Sequence, residues 1–281
     1  MAALSTEEFT VYAKLVRDLT GIALDASKGY LIETRLEPLV RELGLKGYSE
    51  LYYRIKSDAS GALARRVIDR ITTQETSFFR DASPFEMLKF KIVPELIDAR
   101  RKLAGPKAKV ALRIWSAACS TGQEVYSILI ALKELLGDLS AYSIRLLATD
   151  ISDSAIAKAS KGFYASADIV RGMPPELLQR HFIVENGGYR IRDDLRAFAT
   201  FKRWNLFEDF ASFGYFDVIF CRNVAIYFTE DDKRKLFGRF ERVLEKDGAL
   251  IIGSTESLLG TATGFEAMRH LRAVYYRKKP A

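Results

Sequence analysis

Apolar residues recur at helical spacing through the first part of the chain. Phe9, Tyr12 and Val16, for example, lie three or four positions apart. Residues at that spacing share one face of a helix, so the pattern predicts amphipathic helices. The predicted helices cover residues 9–19, 32–43, 47–57 and 60–71. Residues 1–75 are therefore predicted to form a small all-helical domain.

A long basic helix is predicted over about 83–103, and it ends before the Gly105-Pro106 pair, which is typical of a helix break. We assign residues 76–104 to a linker and connector helix. Beyond it, short apolar runs alternate with helical stretches. Strands are predicted at 110–116, 144–149, 216–221 and 249–253, with helices at 125–136, 153–160 and 229–244.

This alternation is typical of an α/β domain with a parallel sheet and helices on both faces, here over residues 105–281. Ligands of such sheets bind at the carboxyl ends of the strands. Residues 161–203 break the alternation, because glycine and proline pairs there separate short alternating pieces such as that at 189–192. They are predicted to form an inserted, small antiparallel β-subdomain.

Composition excludes several classes of protein. The chain has 281 residues, 48% of them hydrophobic and 28% charged, which is typical of a globular protein of more than one domain. No apolar run approaches the roughly 18 residues of a membrane span, and no signal pattern opens the chain, so we expect a cytoplasmic protein without membrane insertion. Two cysteines and two histidines at wide spacing argue against a disulfide framework and a metal site.

Positive charge is concentrated in one segment. The chain has 43 Lys and Arg against 36 Asp and Glu, a net charge of +7. Residues 89–113 hold a large share of the excess, with only Glu95 and Asp98 in opposition. Such a stripe suits either nucleic acid or an acidic protein partner.

The loop after the first predicted strand, residues 116–124, consists mainly of small residues before a helix start. Small side chains let a ligand approach the backbone, and a helix start offers free amide donors. A dinucleotide-binding loop would need three glycines, and only Gly122 is present, so a pyrophosphate-binding oxidoreductase is disfavoured. The alternative is an ordinary tight turn.

Polar residues also follow two other strands. Asp150 could accept hydrogen bonds from both hydroxyls of a ribose, or either Asp150 or Ser152 could cap the next helix. Glu124 suits an ammonium group, although the helix dipole would stabilise it in any case. Arg222 and Tyr227 follow an apolar strand, and a buried arginine requires partners, which favours a site.

With the sequence QETSFFR at residues 74–80, these segments resemble the chemotaxis receptor methyltransferase (CheR) family. The resemblance covers almost the whole chain, through residues 20–24, 30–36, 74–80, 115–126, 148–150, 171–174, 216–228 and 253–257. It implies an N-terminal helical domain joined to a class I, Rossmann-like S-adenosylmethionine-dependent methyltransferase domain with an inserted β-subdomain. The implied activity is transfer of a methyl group from S-adenosylmethionine to glutamate side chains of chemoreceptors, with S-adenosylhomocysteine as product.

The resemblance also implies roles for individual residues. The implied cofactor contacts are Gln74, Thr76, Arg80, Glu124, Asp150, Asn205, Leu206, Cys221 and Arg222. Arg80 and Tyr227 would be the catalytic residues beside the transferring methyl group. Because Cys119 and Cys221 follow strands that should be neighbours in the class I sheet order, both are expected near the cofactor as reduced thiols; the alternative is that they are small buried residues of the core.

The chain departs from the family pattern at four places. Gln74 stands where the family has Asn, Val125 replaces a Pro, and Ala225 replaces a bulkier apolar residue. The turn at 185–188 is shorter than in members that bind a receptor's C-terminal pentapeptide. We therefore expect that this tether is not required.

The residue chemistry agrees with this function. A glutamate side chain has a reference pKa of about 4.3, so it is already a nucleophile at neutral pH and requires no catalytic histidine. A nucleic-acid methyltransferase is the main alternative, but its Asp/Asn-Pro-Pro-Tyr/Phe and Pro-Cys signatures are absent around Cys221 and Cys119. A catalytically inactive cofactor-binding module is the second alternative.

If the substrate is a receptor, the basic segment at residues 89–113 has a protein that it can attract. Receptor methylation helices are rich in Glu and Gln, and we expect Lys89, Lys91 or the cluster at residues 100–102 to attract them electrostatically. The alternative is a solvated helix face.

Overall fold

The computed structural model describes residues 4–262 and 264–280. The chain begins with a helix, α1 (Thr6–Thr20), whose ends follow directly from the sequence. The Ser5 side chain accepts a hydrogen bond from the Glu8 amide, and the Glu8 side chain accepts one from the Ser5 amide, which forms a capping box. Gly21 ends the helix at φ 77°, a left-handed conformation that glycine adopts without strain.

Three more helices complete the N-terminal region: α2 (Gly29–Glu42), α3 (Tyr48–Ser57) and α4 (Ala62–Ile71). Their apolar faces meet in one cluster, in which Ile32, Leu36 and Leu51 are fully buried. The predicted helical pattern of this region is thus confirmed.

The basic connector is one helical rod with a defect. It consists of α5 (Ser83–Met87), a π-helical stretch (Leu88–Ile92) and α6 (Val93–Ala104). Leu88 and Ile92 are fully buried and belong to the same core cluster as the first strand of the sheet. The rod therefore packs on the sheet domain and is not an extended linker.

A seven-stranded sheet forms the centre of the second domain, with the order β6-β2-β1-β7-β8-β10-β9. The strands are β1 (Ala111–Ala117), β2 (Ser143–Asp150), β6 (Ala199–Arg203), β7 (Phe216–Cys221), β8 (Leu244–Ile252), β9 (Phe265–His270) and β10 (Ala273–Lys278). The first five are parallel, and β10 is antiparallel to both its neighbours. The α/β fold and the four predicted parallel strands are confirmed.

The helices of this domain are α7 (Gln123–Leu136), α8 (Asp153–Lys161), α9 (Ser166–Val170), α10 (Pro175–His181), α11 (Asp193–Arg196) and α12 (Glu230–Val243). A second sheet, of order β3-β5-β4, comprises β3 (Phe163–Ala165), β4 (Phe182–Glu185) and β5 (Gly188–Ile191). This is the predicted antiparallel subdomain, but its sheet ends before residue 203. Residues 199–203 form β6, which pairs with β2 of the large sheet, because Leu146–Asp150 offers a free strand edge there.

The basic residues of the connector are largely engaged in the fold. Arg100 donates to the Asp217 carboxylate and to the Ala111 carbonyl at the starts of β7 and β1. Lys91 forms an ion pair with Glu95. The Arg100 end of the rod therefore lies at the amino-terminal edge of the sheet, opposite the edge where ligands of such folds bind. Among the described residues, no helix is long and apolar enough to cross a bilayer.

We expect the substitution Asp217→Ala to destabilise the protein by about 3 kcal/mol, measured by urea unfolding. The Asp217 side chain is only 5% exposed, and it also accepts a hydrogen bond from the Arg113 amide at 2.6 Å, so its loss leaves this amide without a partner and removes the carboxylate from the partly buried Arg100. Asp231→Ala is the control, because the Asp231–Arg234 pair is exposed and worth below about 1 kcal/mol. Equal losses in the two variants would contradict a structural role for Arg100.

Candidate active site

A cleft opens at the carboxyl ends of β1, β2 and β7, where the sheet meets the helical domain. Three parts of the chain line it: residues 72–77 with Arg80, the loops that follow the strands, and Thr20 and Ile22 at the end of α1. The helical domain thus supplies part of the cleft wall. Sequence analysis did not assign that role to residues 20–22, although they belong to a matching segment.

The loop after β1 bends sharply at three positions. Ala118 and Ser120 have φ values of 63° and 49°, and Gly122 has a φ of 93°. A Cβ atom on Gly122 would lie 2.8 Å from Ala159 Cβ and 2.9 Å from the Tyr164 hydroxyl. Glycine is therefore required here by both conformation and space, and α7 begins at the next residue.

Asp150 ends β2 and is buried in the cleft wall. Its carboxylate accepts hydrogen bonds from the backbone amides of Ser120 (2.8 Å) and Ser152 (3.0 Å). Ser152 caps α8, since its hydroxyl accepts from the Ala155 amide, so the capping role falls to Ser152 and Asp150 remains in the cleft. Burial raises the pKa of Asp150 above its usual range.

Arg222 joins three segments of the cleft from a buried position. Its side chain is 2% exposed, and it donates to Glu124 Oε2 (3.0 Å), Asp81 Oδ2 (2.8 Å) and the Arg80 carbonyl (2.8 Å). Ser116 Oγ donates to the other oxygen of Glu124 at 2.7 Å. The guanidinium group is thus bound mainly by protein, which makes Arg222 a support for its neighbours.

The turn that carries Arg80 depends on this support. Phe79 and Asp81 both have positive φ values, 48° and 62°, which non-glycine residues rarely adopt. Arg80 itself lines the cleft and donates from one Nη atom to the Glu75 carbonyl at 2.9 Å. Asp81 was not recognised in the sequence, because only its contact with the distant Arg222 reveals its role.

Tyr227 lies in a short 3₁₀ turn (Ala225–Tyr227) after β7 and also lines the cleft. The backbone carbonyl of Tyr227 accepts a hydrogen bond from the Ala23 amide of the helical domain at 2.9 Å. Arg80 and Tyr227, which are 147 positions apart in sequence, thus line the same cleft. The fold of the sheet and the contacts with the helical domain place these two residues at the same cleft.

The other candidate residues divide into two groups. Thr76 and Leu206 line the cleft, as do Glu124, Gln74 and Asn205, but the side chains of the last three already bind protein. Gln74 Oε1 accepts from Ser120 Oγ at 2.9 Å, and Asn205 Nδ2 donates to the Leu19 carbonyl at 3.1 Å.

The two cysteines differ in their surroundings. Both are buried free thiols, and burial raises the pKa of each. Cys119 lines the cleft, whereas the side chain of Cys221 is fully buried in an apolar cluster with Ile219 and Leu250 and is not among the lining residues. The Cys221 side chain therefore faces this apolar cluster and not the cleft, because Cys221 ends β7 on the same face of the sheet as Ile219.

The cleft has the groups that a nucleoside cofactor requires. Asp150 offers a carboxylate at the end of β2, and Trp204 and Leu206 form an apolar wall. Among the described residues, Trp204 Nε1 and Arg222 Nε are buried donors without a protein partner. Buried donors usually have partners, so these two atoms suit a site that receives a polar ligand.

We expect Gly122→Ala to destabilise the protein by about 3 kcal/mol and to weaken cofactor binding, because the added methyl group must displace Ala159 or Tyr164. Gly137→Ala is the matched control: Gly137 also has a positive φ, 69°, but its Cβ would meet nothing within 4 Å. That variant should lose only about 1–2 kcal/mol. Urea unfolding and calorimetric titration with S-adenosylhomocysteine measure both effects, and equal losses would show that the loop simply relaxes.

Comparison with known proteins agrees with this geometry. The family model described as "CheR methyltransferase, SAM binding domain" matches residues 74–274, and "CheR methyltransferase, all-alpha domain" matches residues 7–72. Chemotaxis protein methyltransferase 1 of Pseudomonas aeruginosa is 38% identical over 277 residues, which cover 97% of this chain and 98% of that protein. Chemotaxis protein methyltransferase Cher2 of Pseudomonas putida is 37% identical over 281 residues, with 98% of each chain covered. The chain therefore belongs to the CheR methyltransferase family, whose methyl donor is S-adenosylmethionine.

Proposed function

We propose that this methyltransferase transfers the methyl group of S-adenosylmethionine to glutamate side chains of chemoreceptors and forms glutamate methyl esters. The observation that carries the proposal is that Arg80 and Tyr227 line one cleft together with Asp150 and Glu124. The names of the relatives, all chemotaxis protein methyltransferases, support the choice of substrate.

For the cofactor we propose an orientation along the strand ends. Asp150 would accept hydrogen bonds from the ribose hydroxyls, and Glu124 would face the ammonium group of the methionine part. Leu206 and the backbone of Asn205 would contact the base. When bound, the cofactor supplies a methyl group on a positively charged sulfur.

For the remaining residues that we expect to contact the cofactor, fewer side-chain atoms are available than the sequence suggested. Gln74 and Arg222 can reach the cofactor only with atoms that their protein partners leave free, and the Arg222 side chain is only 2% exposed. Thr76 keeps its place in the lining. For Cys221 only a backbone contact is compatible with its buried side chain.

The protein's part in the reaction is orientation. A substrate glutamate is ionised at neutral pH, so no side chain has to remove a proton. Arg80 keeps donors beyond the one bound to Glu75, and these can hold the incoming carboxylate in line with the methyl group. The Tyr227 hydroxyl can donate to the carboxylate or face the sulfonium. Holding the reacting atoms about 3–3.5 Å apart and aligned is a large part of the catalytic effect.

The proposed substrates are the cytoplasmic methylation helices of receptors, which would place the enzyme in the cytoplasm. We propose that it does not require the receptor's C-terminal pentapeptide. The β4–β5 hairpin has a two-residue turn in which Asn186 and Gly187 have φ values of 49° and 76°. This is the tight turn typical of an Asn-Gly hairpin, and it leaves little loop for docking a tether.

Nucleic acid is a poorer substrate for this site. The basic rod that could have attracted it places Arg100 at the opposite edge of the sheet, bound to Asp217. Because Arg100 is bound to Asp217 at that edge, it cannot attract the acidic receptor helices to the cleft.

The test is transfer of tritiated methyl groups to three substrates: a receptor cytoplasmic fragment, the same fragment without its C-terminal pentapeptide, and a mixture of RNA and DNA. We expect equal label on both fragments and none on nucleic acid. Arg80→Ala should lower kcat roughly 100-fold and Tyr227→Phe roughly tenfold, because each misplaces the carboxylate while the ribose contacts persist.

Arg234→Ala and Tyr215→Phe are the matched controls, because both side chains are exposed. Label on nucleic acid alone, or wild-type rates in the Arg80 variant, would refute the proposal. Label confined to the fragment with its pentapeptide would refute only the tether part.

Cofactor affinity should fall as the pH is lowered toward the raised pKa of Asp150. Burial raises the pKa of Asp150, so its carboxylate becomes protonated at a higher pH than usual and then accepts hydrogen bonds less well. Asp150→Asn should bind S-adenosylhomocysteine roughly tenfold to 100-fold more weakly at pH 8 and lose most of the pH dependence. Calorimetric titration measures both, and wild-type affinity in this variant would contradict the ribose contact.

A further inference from the structure

Glu256 is a partly buried residue with no role in the chemistry described above. It lies just after β8, in the matching segment at residues 253–257. Its Oε2 atom accepts hydrogen bonds from the backbone amides of Asn223 and Gly253, both at 2.7 Å. A single carboxylate oxygen thus joins the carboxyl ends of β7 and β8.

The atoms around this contact are closely packed and leave no room for a side chain at residue 253. A Cβ atom on Gly253 would lie 2.6 Å from Glu256 Oε2 and 2.7 Å from Asn223 Nδ2. Asn223 itself has a φ of 56°, a left-handed conformation that Asn adopts more readily than most residues but that is still uncommon outside glycine. The hydrogen bond from the Asn223 amide to Glu256 stabilises this backbone conformation.

The second oxygen of Glu256 makes the carboxylate unusual. Oε1 is buried and has no hydrogen-bond partner among the described residues. Burying an unsatisfied carboxylate oxygen is unfavourable, and a neutral apolar residue would avoid that cost. Its presence is explained by the two charge-assisted hydrogen bonds of Oε2, which are stronger than those of a neutral acceptor.

Glu256 acts on the segment that ends in Tyr227. Residues 223–227 are held at their start by Glu256 and at their end by the Ala23 amide, which donates to the Tyr227 carbonyl. Between these two points lies the short 3₁₀ turn that directs Tyr227 into the cleft. A displacement at Asn223 therefore passes along four residues to Tyr227.

We propose that Glu256 is a positioning residue for Tyr227, acting through the Asn223 backbone, and this inference rests on the role of Tyr227 in the proposed function. The carboxylate fixes the left-handed conformation of Asn223. That in turn sets where the Tyr227 side chain meets the substrate carboxylate. Asp150 and the loop after β1 are held by other contacts, so cofactor binding should be nearly independent of Glu256.

Two variants test this in the full-length protein. Glu256→Gln keeps the shape and one acceptor oxygen for both amides, but without the charge. Glu256→Ala removes both hydrogen bonds. We expect kcat for methyl transfer to fall about threefold in the Gln variant and at least tenfold in the Ala variant, with the Kd for S-adenosylhomocysteine within threefold of wild type.

Amide hydrogen exchange gives a readout that does not depend on activity. In Glu256→Ala, exchange in the peptide covering residues 222–228 should become roughly tenfold faster, while exchange around Asp150 should stay at the wild-type rate. Ser257→Ala is the control from the same loop, since its exposed hydroxyl accepts only from the Leu259 amide. It should alter neither measurement.

Three results would overturn the proposal: wild-type kcat in Glu256→Ala, a loss of S-adenosylhomocysteine affinity as large as the loss of kcat, or unchanged exchange at residues 222–228. If the wild-type enzyme methylates no receptor, the proposed function fails. In that case the exchange experiment still decides whether Glu256 fixes this segment.

Discussion

The active site depends on one buried cation. The guanidinium group of Arg222 binds the Glu124 carboxylate, the Asp81 carboxylate and the Arg80 carbonyl, so it connects the end of β7 to the start of α7 and to the turn before the connector helix. A planar guanidinium can serve three such acceptors at once because its donors point outward in fixed directions. Lysine would not reproduce this arrangement, since its three donors radiate from one nitrogen and lack the wider planar fork of arginine.

The second constraint is that neither domain completes the cleft alone. The Ala23 amide binds Tyr227, and the Leu19 carbonyl binds Asn205, so the end of α1 fixes two loops of the sheet domain. On the other side, Asp69 of α4 accepts from Ser152 Oγ at 2.6 Å, directly beside the Asp150 loop. The helical domain thus braces both the proposed ribose end and the proposed methyl-transfer end. A change in the angle between the domains would disturb both.

Local pattern was enough to predict some parts of this molecule and not others. The strands β1, β2, β7 and β8 were found because buried parallel strands are continuous apolar runs, and Asp150 was found because it ends one of them. β6 was assigned to the subdomain, since Ala199–Arg203 is mixed in character and pairs only with the β2 edge. The β9–β10 hairpin was not predicted, since its residues are also of mixed character. Cys221 was predicted to contact the cofactor, although its side chain faces the core. The family resemblance predicted that Arg80 and Tyr227 share one site. No local sequence pattern indicated that Asp81, Ala23 and Glu256 stabilise the segments that carry these two residues.

Backbone strain explains why so many supporting contacts converge here. Of the seven described non-glycine residues with positive φ, five line or flank the cleft: Phe79, Asp81, Ala118, Ser120 and Asn223. Strained conformations persist only where the surroundings compensate them. The contacts that do so are hydrogen bonds from Arg222 to Asp81, from the Ser120 amide to Asp150 and from the Asn223 amide to Glu256. Because a carboxylate nucleophile needs no proton transfer, such a site has only to hold groups in place, and the fold stores its strain where that precision is required.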